Sequence, residues 1–462
     1  MEERTTLGWS DLAGARVGLW GLRMEGAANL RRLRTLGVVP VAVDDRPSAP
    51  VFGGLRVLQG DAGLEALARC EVVVKSPGIS RRGAAAAGLV GAGVTLAGGL
   101  GLWLADADRA RVACVTGTKG KSTTAALAGH LLRGLGHRCL VAGNIGVPPW
   151  DPDAGDDWDV WIVECSSYQA TDVAVSPPVV AVTSLAPDHL DWHGGVEPYY
   201  EDKLSLCSRP GARLTVADGT SETLRAHASL LGPTVRWVME GDHQLDGAWV
   251  ERLGLPGRHY HRNALIARAC LLGLGISEAE DEEALARAAP GFAPLAHRFR
   301  PLGTVAGVTF IDDGLSTNAL PTVAALESLG DRPVALLVGG QDRGIDYEPL
   351  GRAVAERGGP TMVATLPDCG PRIRSVVAAA IAGTGGARDV TIVDFPALPE
   401  ATSAAFDWAA PRVGVVLLSP AAPSFGQFRD YRERSAAFEA AMRRCASGDS
   451  GPVTRQPPAR SG

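Results

Sequence analysis

The chain has 462 residues, of which 46% are hydrophobic, 21% are charged and 5% are aromatic, and its formal net charge at pH 7 is −6. At roughly 100–200 residues per domain, this length predicts about three domains, each able to bury its own core. Nucleic acid is disfavoured as a partner, because neither a basic surface nor aromatic base-stacking platforms are expected from this composition.

The sequence also indicates a compartment. The eight cysteines include no Cys-x-x-Cys pair, so buried free thiols in a reducing environment are expected. The N-terminal stretch MEERTTLGWSDL lacks the apolar core of a signal peptide. No uncharged apolar run approaches the ~20 residues that span a bilayer. We therefore expect a cytoplasmic protein with no membrane partner, and a monomer.

Short apolar runs alternate with Ala- and Leu-rich helical stretches along the chain, which is typical of parallel α/β units. The first unit, expected over residues 1–108, contains the strand RVGLW, a helix near 26–36, and strands within VVPVAVDDR and CEVVVKSPGI. The spacing of Gly18, Gly21 and Gly26 does not form Gly-x-Gly-x-x-Gly, so a dinucleotide fold is not supported.

Two further units follow. The second, expected over 109–296, has the strand RVACV, a helix from Ser122, strands within WDVWIVECSSYQ and PVVAVTSLAPDH, and helices at EPYYEDKLSLC and GRHYHRNALIARACLLGLG. The third, expected over 297–445, has strands at VTFIDD, PVALLVGG, TMVATL and RVGVVLLSP. The Gly-rich AGTGGA is interpreted as a surface loop, and the polar residues 446–462 as a disordered tail.

A phosphate-binding loop is predicted at Gly-Thr-Lys-Gly-Lys-Ser, between an apolar strand and an Ala-rich helix. Backbone amides of such a loop face inward and meet the positive end of the helix, whereas the alternative is an ordinary strand–turn–helix junction. Lys121 would reach the β- and γ-phosphates of ATP, and Ser122 would hold Mg²⁺. Thr116 replaces the first glycine of the full pattern, so a standard GTPase or motor loop is not predicted. The predicted nucleotide contacts are Gly117, Thr118, Lys119, Gly120, Lys121, Ser122 and Thr123.

Glu164 stands at the end of an apolar strand in VECSSYQ, where a carboxylate near a phosphate loop is placed to hold Mg²⁺. TGTKGKSTT resembles the phosphate loop of the Mur ligases and the folylpolyglutamate synthetases, which are ATP-dependent enzymes that join an amino acid to a carboxylate. VECSSYQ looks like the Mur motif ELSSFQ, with Tyr168 in place of Phe. A surface acid is the alternative interpretation of Glu164.

The stretch APDHLDWHGGVEPYYEDKLSL carries the most specific resemblance to the Mur ligase family. The resemblance implies that His189 helps to hold a second Mg²⁺ and that Lys203 is carbamoylated, which turns a cation into an anion. Without the family, Lys203 would be interpreted as a solvated helix lysine. AGNIG matches the family's Gly-Asn-Ile-Gly and implies that Asn144 lies near metal and substrate. The implied catalytic set is Lys121, Asn144, His189 and Lys203.

Later motifs carry the resemblance to about residue 440, starting from about residue 14. GRHYHRNALIA, AHRF and FIDDGLSTN imply nucleotide contacts by Asn263, Arg298 and Asp313. LSPAAPSFGQFRDYRERSAAF resembles the end of the glutamate-adding, MurD-type branch, and places Ser424 and Phe425 in its substrate signature.

This branch implies an α/β fold of three domains: an N-terminal Rossmann-like UDP-binding domain, a central P-loop ATPase-type domain and a C-terminal Rossmann-like domain. The implied reaction adds glutamate to UDP-N-acetylmuramoyl-L-alanine with ATP and Mg²⁺. By analogy, the uracil or diphosphate would contact residues of VDDR and KSPGI, namely Asp44, Asp45, Arg46, Ser76 and Gly78.

The departures from the branch pattern lie in the glutamate site. Leu315 replaces the lysine of the usual Asp-Ser-Lys-Ala-Thr-Asn, which here ends in Thr317 and Asn318. The usual Gly-Gly-x-x-Lys becomes Gly-Gly-Gln-Asp-Arg, and Arg343 can bind a carboxylate through two N–H donors. GGQDRGIDY resembles the pattern of the branch that adds L-glutamate, which we favour; a D-glutamate enzyme remains the alternative. More remote alternatives are a folylpolyglutamate synthetase and a phosphate-loop switch that makes no bond.

Overall fold

The computed structural model describes residues 6–47, 49–255, 257–293, 295–384, 389–424 and 426–447. The described residues form three six-stranded sheets, as the alternation of apolar runs and helical stretches predicts. The chain divides into two compact units, whose bounds differ from those of the three units expected from the sequence. The first unit of the structure is Met1–Leu255 with Tyr260–Phe292, and the second unit is Pro256–His259 with Ala293–Gly462. Phe425, residues 385–387 of the expected surface loop with the following Arg388, and residues 448–462 of the expected tail lie outside the described residues. Ala382 and Gly383, which the sequence assigned to that loop, end a helix instead.

The first sheet has the strand order β3-β4-β2-β1-β5-β6, and its neighbours are parallel except in the β3–β4 hairpin. Its strands are β1 Val17–Trp20, β2 Val41–Val43, β3 Val51–Phe52, β4 Leu55–Leu58, β5 Val72–Lys75 and β6 Thr95–Ala97. The helices that accompany it are α1 Met24–Thr35, α2 Gly60–Leu67, α3 Ala84–Gly91 and α4 Gly99–Asp106. The central strands β1 and β5 are buried along their whole length, which explains why they are apolar apart from Lys75 at the end of β5.

The second sheet is entirely parallel and has the order β12-β11-β10-β7-β9-β8. Its strands are β7 Val112–Thr116, β8 Cys139–Gly143, β9 Val160–Glu164, β10 Val179–Val182, β11 Leu214–Asp218 and β12 Val235–Val238. Its helices are α5 Lys121–Gly134, α6 Ser167–Ala170, α7 Leu190–His193, α8 Val196–Leu204, α9 Glu222–Ala226, α10 Ala248–Arg252, α11 Arg258–Gly273 and α12 Glu282–Ala288. Chain order reverses across β7, so the carboxyl ends of β10, β7 and β9 form the edge at which ligands bind in open α/β sheets.

The third sheet has the order β13-β14-β18-β15-β16-β17, with an antiparallel β13–β14 hairpin and parallel neighbours elsewhere. Its strands are β13 Arg300–Val305, β14 Val308–Asp312, β15 Val334–Gly340, β16 Thr361–Asp368, β17 Val390–Asp394 and β18 Val415–Leu418. Its helices are α13 Ala319–Glu327, α14 Glu348–Glu356, α15 Gly370–Gly383, α16 Leu398–Ala409 and α17 Tyr431–Ser447. Because α17 continues to Ser447, the expected tail does not begin at residue 446.

The free thiols expected from the sequence are present. The eight cysteines, all among the described residues, are free thiols, and seven of them are buried. Within the described ranges, no helix has the length and apolar character needed to cross a membrane.

A buried ion pair joins the first sheet to the segment that follows α6 within the first unit. Lys75, the last residue of β5, places its Nζ 2.6 Å from Oδ2 of Asp172, and both side chains are almost completely buried. Arg81 donates from Nε to the other oxygen of the same carboxylate at 2.5 Å. Nearby, Glu25 accepts a hydrogen bond from Gln169 at 2.6 Å, and burial raises the pKa of Glu25 to about 7. Ionic contacts with little access to water therefore join the end of β5 in the first sheet to the residues that follow α6, next to the second sheet.

We predict that Asp172→Ala lowers the free energy of unfolding by about 3 kcal/mol, because it leaves the Lys75 ammonium buried without its partner. Urea unfolding followed by tryptophan fluorescence measures the change. The control is Asp157→Ala, which removes an exposed partner of Arg138 and should cost less than about 0.5 kcal/mol. The double variant Lys75→Met with Asp172→Asn should be destabilised much less than Asp172→Ala, because it removes the buried ammonium group together with its partner. Equal effects of Asp172→Ala and Asp157→Ala would contradict this role of the buried pair.

Candidate active site

The loop between β7 and α5 has the backbone that a phosphate site requires. Gly117 has φ +131° and Gly120 has φ +87°, which side-chain-bearing L-residues rarely adopt. A Cβ on Gly117 would lie 2.3 Å from Thr183 Oγ1 and 2.9 Å from the backbone nitrogen of Ser184. Glycine is therefore required at position 117 both by the backbone and by the close approach of the segment after β10.

The segment that follows β10 holds the loop from one side. The Thr118 amide donates to the Ser184 carbonyl at 2.9 Å, and the Lys119 amide donates to Ser184 Oγ at 2.8 Å. Thr118 Oγ1 also accepts from the Ala186 amide at 3.0 Å. Lys119 Nζ lies 3.3 Å from Asp188 Oδ2. These contacts hold the loop in place through groups of the protein itself.

Two lysines converge on the loop's own carbonyl groups. Lys121 Nζ donates to the carbonyls of Gly117 at 2.9 Å and of Thr118 at 3.1 Å. Lys203, from the end of α8, donates to the same Gly117 carbonyl at 3.0 Å. Only 2% of Lys203 is exposed, so the interpretation of this residue as a solvated helix lysine is wrong. Burial, reinforced by the charge of Lys121, lowers the pKa of the Lys203 amine well below its usual value. A lowered pKa favours the neutral form of this amine.

Glu164 ends β9 at the same edge of the sheet. It is 1% exposed, which rules out the surface-acid interpretation. Asn144 donates from Nδ2 to Glu164 Oε1 at 2.8 Å, while Glu164 Oε2 is buried without a hydrogen-bond partner among the described residues. A buried carboxylate oxygen that lacks a donor fits a bound cation.

His189 begins the turn into α7, with φ +53°. Its Nε2 lies 3.8 Å from Asp188 Oδ1, and its ring centroid lies 5.1 Å from that of Tyr168. Burial lowers the pKa of His189, which favours the neutral imidazole that metals bind.

The fit to Mg²⁺ follows from this donor set. Among the described residues, no three His, Cys, Asp or Glu side chains come together as a metal cluster. Mg²⁺ tolerates this, because it usually takes one or two carboxylates and completes its octahedron with water and substrate phosphates. Glu164, Ser122 and His189, with a carbamate on Lys203, are the residues that could contribute.

A buried chain of hydrogen bonds beside this cluster escaped sequence analysis. His193 Nε2 lies 3.0 Å from Ser167 Oγ, and its Nδ1 lies 2.7 Å from Asp202 Oδ2. Arg82, from the first sheet's segment, lies 2.6 Å from the same Asp202 oxygen. The chain joins α6, α7 and α8, and therefore orients the helices beside His189 and Lys203. The one signal in the sequence is a histidine and an aspartate on neighbouring helical stretches.

The residues expected at the UDP site follow two strands of the first sheet: Asp44, Asp45 and Arg46 lie after β2, and Ser76 and Gly78 lie after β5. Asp44 accepts from the Leu22 amide at 2.8 Å, and Asp45 accepts from the Gly60 amide at 3.0 Å. Ser76 donates to the Gly21 carbonyl at 2.9 Å. These contacts bring the loops together at the carboxyl edge of the first sheet.

Gly78 and Arg46, which are also expected at that edge, each form a backbone hydrogen bond with a neighbouring residue. The Gly78 carbonyl accepts from Trp192 Nε1 at 2.9 Å, so the loop that holds Ser76 contacts α7. Arg46 is exposed, and its amide donates to Asp44 Oδ1 at 2.8 Å.

The three residues expected on the nucleotide side fall in different units. Asn263 belongs to the first unit and lies against the phosphate loop, since a Cβ on Gly120 would be 2.9 Å from its Oδ1. Arg298 and Asp313 belong to the second unit. Asp313 is buried, accepts from the Phe299 amide at 3.0 Å and from Ser419 Oγ at 2.7 Å, and has its pKa raised to about 6 by burial.

Thr317, Arg343 and Ser424, expected to bind the amino acid, follow β14, β15 and β18, respectively. These three strands are neighbours in the third sheet, so their carboxyl ends lie at one edge. Sequence analysis missed Arg434, which is buried there and donates to the carbonyls of Gly314 at 3.0 Å and Ala422 at 3.1 Å. It ties the loops after β14 and β18 together.

Comparison with known proteins gives consistent results. Residues 115–232 match the family described as the Mur ligase middle domain. The chain is 39% identical to the UDP-N-acetylmuramoyl-L-alanine--L-glutamate ligase of a Micromonospora strain, over 94% of this chain and 98% of that protein. It is 38% identical to the Xanthomonas axonopodis protein of the same name, over 93% and 95% of the two chains.

Solved structures share the fold at low identity. The MurC UDP-N-acetylmuramate-alanine ligase of Thermotoga maritima aligns with a TM-score of 0.56 at 17% identity, and covers 93% of this chain and 99% of its own. The MurF ligase of the same organism, solved in complex with ADP, aligns with a TM-score of 0.53 at 17% identity, over 96% and 98% of the two chains.

We predict that Gly117→Ala weakens ADP binding at least tenfold, because a Cβ forces the loop away from Thr183 and Ser184 and turns its amides from the phosphates. Isothermal titration calorimetry measures the affinity. The control is Gly136→Ala, at φ +94° with open space around the new Cβ, which should cost about 1–2 kcal/mol of stability from backbone strain alone and leave the affinity unchanged. Equal ADP affinities for the two variants would refute the requirement for glycine.

Proposed function

We propose that this chain, which belongs to the Mur ligase family, joins glutamate to UDP-N-acetylmuramoyl-L-alanine in an ATP-dependent, amide-forming step of peptidoglycan precursor synthesis. The observation that carries the proposal is the buried Lys203 amine, 3.0 Å from the Gly117 carbonyl of the phosphate loop and beside a second lysine, Lys121. A phosphate-loop switch that makes no bond has no use for a buried amine at this point.

The reaction begins at a carboxylate, which an amine cannot attack directly because oxide is too poor a leaving group. The alanyl carboxylate takes the γ-phosphoryl group of ATP and releases ADP. The glutamate amine then attacks the acyl phosphate, a proton is lost, and the tetrahedral intermediate collapses to an amide and inorganic phosphate. The protein's main task is to align two anions and to neutralise their charge.

The first unit supplies the groups for phosphoryl transfer. Lys121 contacts the β- and γ-phosphates, and the loop amides at the start of α5 receive the remaining oxygens. Mg²⁺, when bound, neutralises charge on the transferring phosphoryl group. The residues that would hold it are Ser122, Glu164, His189 and the carbamate of Lys203, with Asn144 orienting Glu164 through the 2.8 Å hydrogen bond.

A carbamate on Lys203 is consistent with the environment of this side chain. Carbamoylation requires the neutral amine, which attacks CO₂ and then loses a proton. The lowered pKa of Lys203 favours that neutral form. The product is an anion next to Lys121. Attraction to the Lys121 ammonium group offsets part of the cost of burying this negative charge.

The remaining roles follow the segments of the chain. We assign residues 1–108 to binding of the UDP-sugar through Asp44, Asp45, Arg46, Ser76 and Gly78, and residues 109–296 to ATP. Residues 297–445 would bind the amino acid through Thr317, Arg343 and Ser424. Asn263, Arg298 and Asp313 would contact the nucleotide. The free buried thiols support a cytoplasmic location, and we propose a monomer.

We favour L-glutamate over D-glutamate as the amino acid. Leu315 has no charge where the D-glutamate pattern has a lysine, and Arg343 follows β15 in the GGQDRGIDY pattern. The name of the relatives at 38–40% identity, which specifies L-glutamate, supports the same choice.

We predict ADP release that requires both UDP-N-acetylmuramoyl-L-alanine and L-glutamate, with D-glutamate at least tenfold less effective in kcat/KM. A coupled assay for ADP and mass spectrometry of the UDP product measure the reaction. Lys121→Ala provides the inactive control, since it removes the contact to the γ-phosphate. Equal rates with D-glutamate would contradict the L-glutamate assignment, and ADP release without either substrate would favour the switch.

We predict that Lys203→Ala lowers kcat at least a hundredfold and that added short carboxylates restore part of the rate, because they replace the anion that a carbamate provides. Steady-state kinetics with and without formate or acetate measures the rescue. The same carboxylates should not restore Lys121→Ala, which lacks a cation instead. An unchanged rate in Lys203→Ala would remove the carbamate from the mechanism.

A further inference from the structure

The segment Gln341–Asp346, which joins β15 to α14 in the second unit, is clamped by one residue of α15. Arg372 donates from Nε to Asp342 Oδ2 at 3.0 Å and from a terminal nitrogen to Asp342 Oδ1 at 2.6 Å. Its other terminal nitrogen donates to the Ile345 carbonyl at 2.8 Å. The clamp therefore reaches both sides of Arg343, which lies exposed between these two contacts.

The same guanidinium also covers the end of the segment. Its central carbon lies 4.7 Å from the centroid of the Tyr347 ring, within cation–π distance. Tyr347 is buried and begins the turn into α14, so it gives the clamp a fixed base. Arg372 thus makes an ion pair, hydrogen bonds and a cation–π contact with residues of one short stretch of chain.

Asp342, which is held by Arg372, also restrains the backbone around Arg343. Its Oδ1 accepts from the Gly344 amide at 2.9 Å, so one carboxylate spans the residues on either side of Arg343. The strand end is fixed as well, because the Gln341 amide donates to the Pro423 carbonyl at 2.9 Å. Arg343 itself donates from Nε to Gln341 Oε1 at 3.0 Å.

We propose that Arg372 is a positioning residue that holds Arg343 in the orientation needed to bind a carboxylate of the incoming glutamate. This inference rests on the proposed function. An arginine binds a carboxylate through two parallel N–H donors, so a small rotation of the segment removes one of the two bonds. A lysine, which acts as a point charge, would tolerate the same rotation. Replacing the branch's usual lysine by Arg343 therefore creates a need for a rigid segment, and Asp342, Tyr347 and Arg372 meet it.

The clamp is suited to local ordering rather than to global stability. The side chains of Arg372 and Asp342 are 39% and 41% exposed, and ion pairs this accessible contribute little to the unfolding equilibrium. The expected consequence of losing Arg372 is therefore weaker glutamate binding in a protein that still folds.

Steady-state kinetics of Arg372→Ala tests the proposal. We expect KM for L-glutamate to rise about tenfold, the size of one lost charge-assisted hydrogen bond, with kcat and the KM values of ATP and the UDP-sugar within about twofold of wild type. The matched control is Arg374→Ala, on the same helix, whose guanidinium pairs with Asp394 at 2.6 Å and is 45% exposed. This control should leave every constant within about twofold.

Two further variants separate positioning from structure. Arg372→Lys keeps the charge but not the fork, so it should recover only part of the glutamate KM. In the double variant Arg343→Ala with Arg372→Ala, KM for glutamate should equal that of Arg343→Ala alone, because Arg372 acts through Arg343. Thermal unfolding of all variants should match wild type.

An unchanged glutamate KM in Arg372→Ala would overturn the proposal, as would independent, multiplying effects in the double variant. A parallel rise in all KM values with a lower unfolding temperature would assign Arg372 a merely structural role. If wild-type protein shows no glutamate-dependent ADP release, the proposed function fails instead, so the wild-type reaction distinguishes the two failures.

Discussion

The packing of the phosphate loop against the segment after β10 is the constraint on which the first unit's site depends. Gly117 has a positive φ and leaves no room for a side chain beside Thr183 and Ser184. Its carbonyl receives the amines of both Lys121 and Lys203. A single backbone group therefore sets the positions of two lysines that lie far apart in the chain. Any movement of this loop would displace both amines and the backbone amides that are proposed to receive phosphate oxygens.

Polar contacts fix the positions of the helices that surround this loop. The Ser167–His193–Asp202 chain orients the helices next to His189 and Lys203, and Arg82 and Trp192 extend these contacts to the loops of the first sheet. Ser167, His193 and Asp202 have little access to water and are costly to bury without their partners, so the native arrangement excludes small shifts that a purely apolar interface would allow. The edge where a UDP-sugar would bind is thereby connected, through direct contacts, to the helices that carry the catalytic candidates.

In the second unit, charged side chains likewise fix the loops at the carboxyl edge of the third sheet. Asp313 collects hydrogen bonds from the segments that follow β14 and β18 and from the Phe299 amide. Arg434 joins the loops after β14 and β18, and Arg372 restrains the loop after β15. Loops at the carboxyl ends of three neighbouring strands are thus each fixed by a charged side chain from elsewhere in the unit. Such loops can vary in sequence while the sheet that supports them remains unchanged.

The α/β class, the buried central strands and the glycine-rich turn between β7 and α5 could be predicted from the sequence, because these features are local: an apolar run, a Gly-rich turn and a following helix. The two-residue strand β3, which is too short to give a periodic signal, and the half-buried edge strand β17 were not predicted. Tertiary structure decided the chemistry of individual side chains. Lys203 is a solvated lysine or a buried amine according to what surrounds it, and the local sequence is the same in both cases. Lys75 and Asp172 are 97 residues apart along the chain, Arg82 and Asp202 are 120 apart, and Arg372 and Asp342 are 30 apart, so only folding brings these charges together.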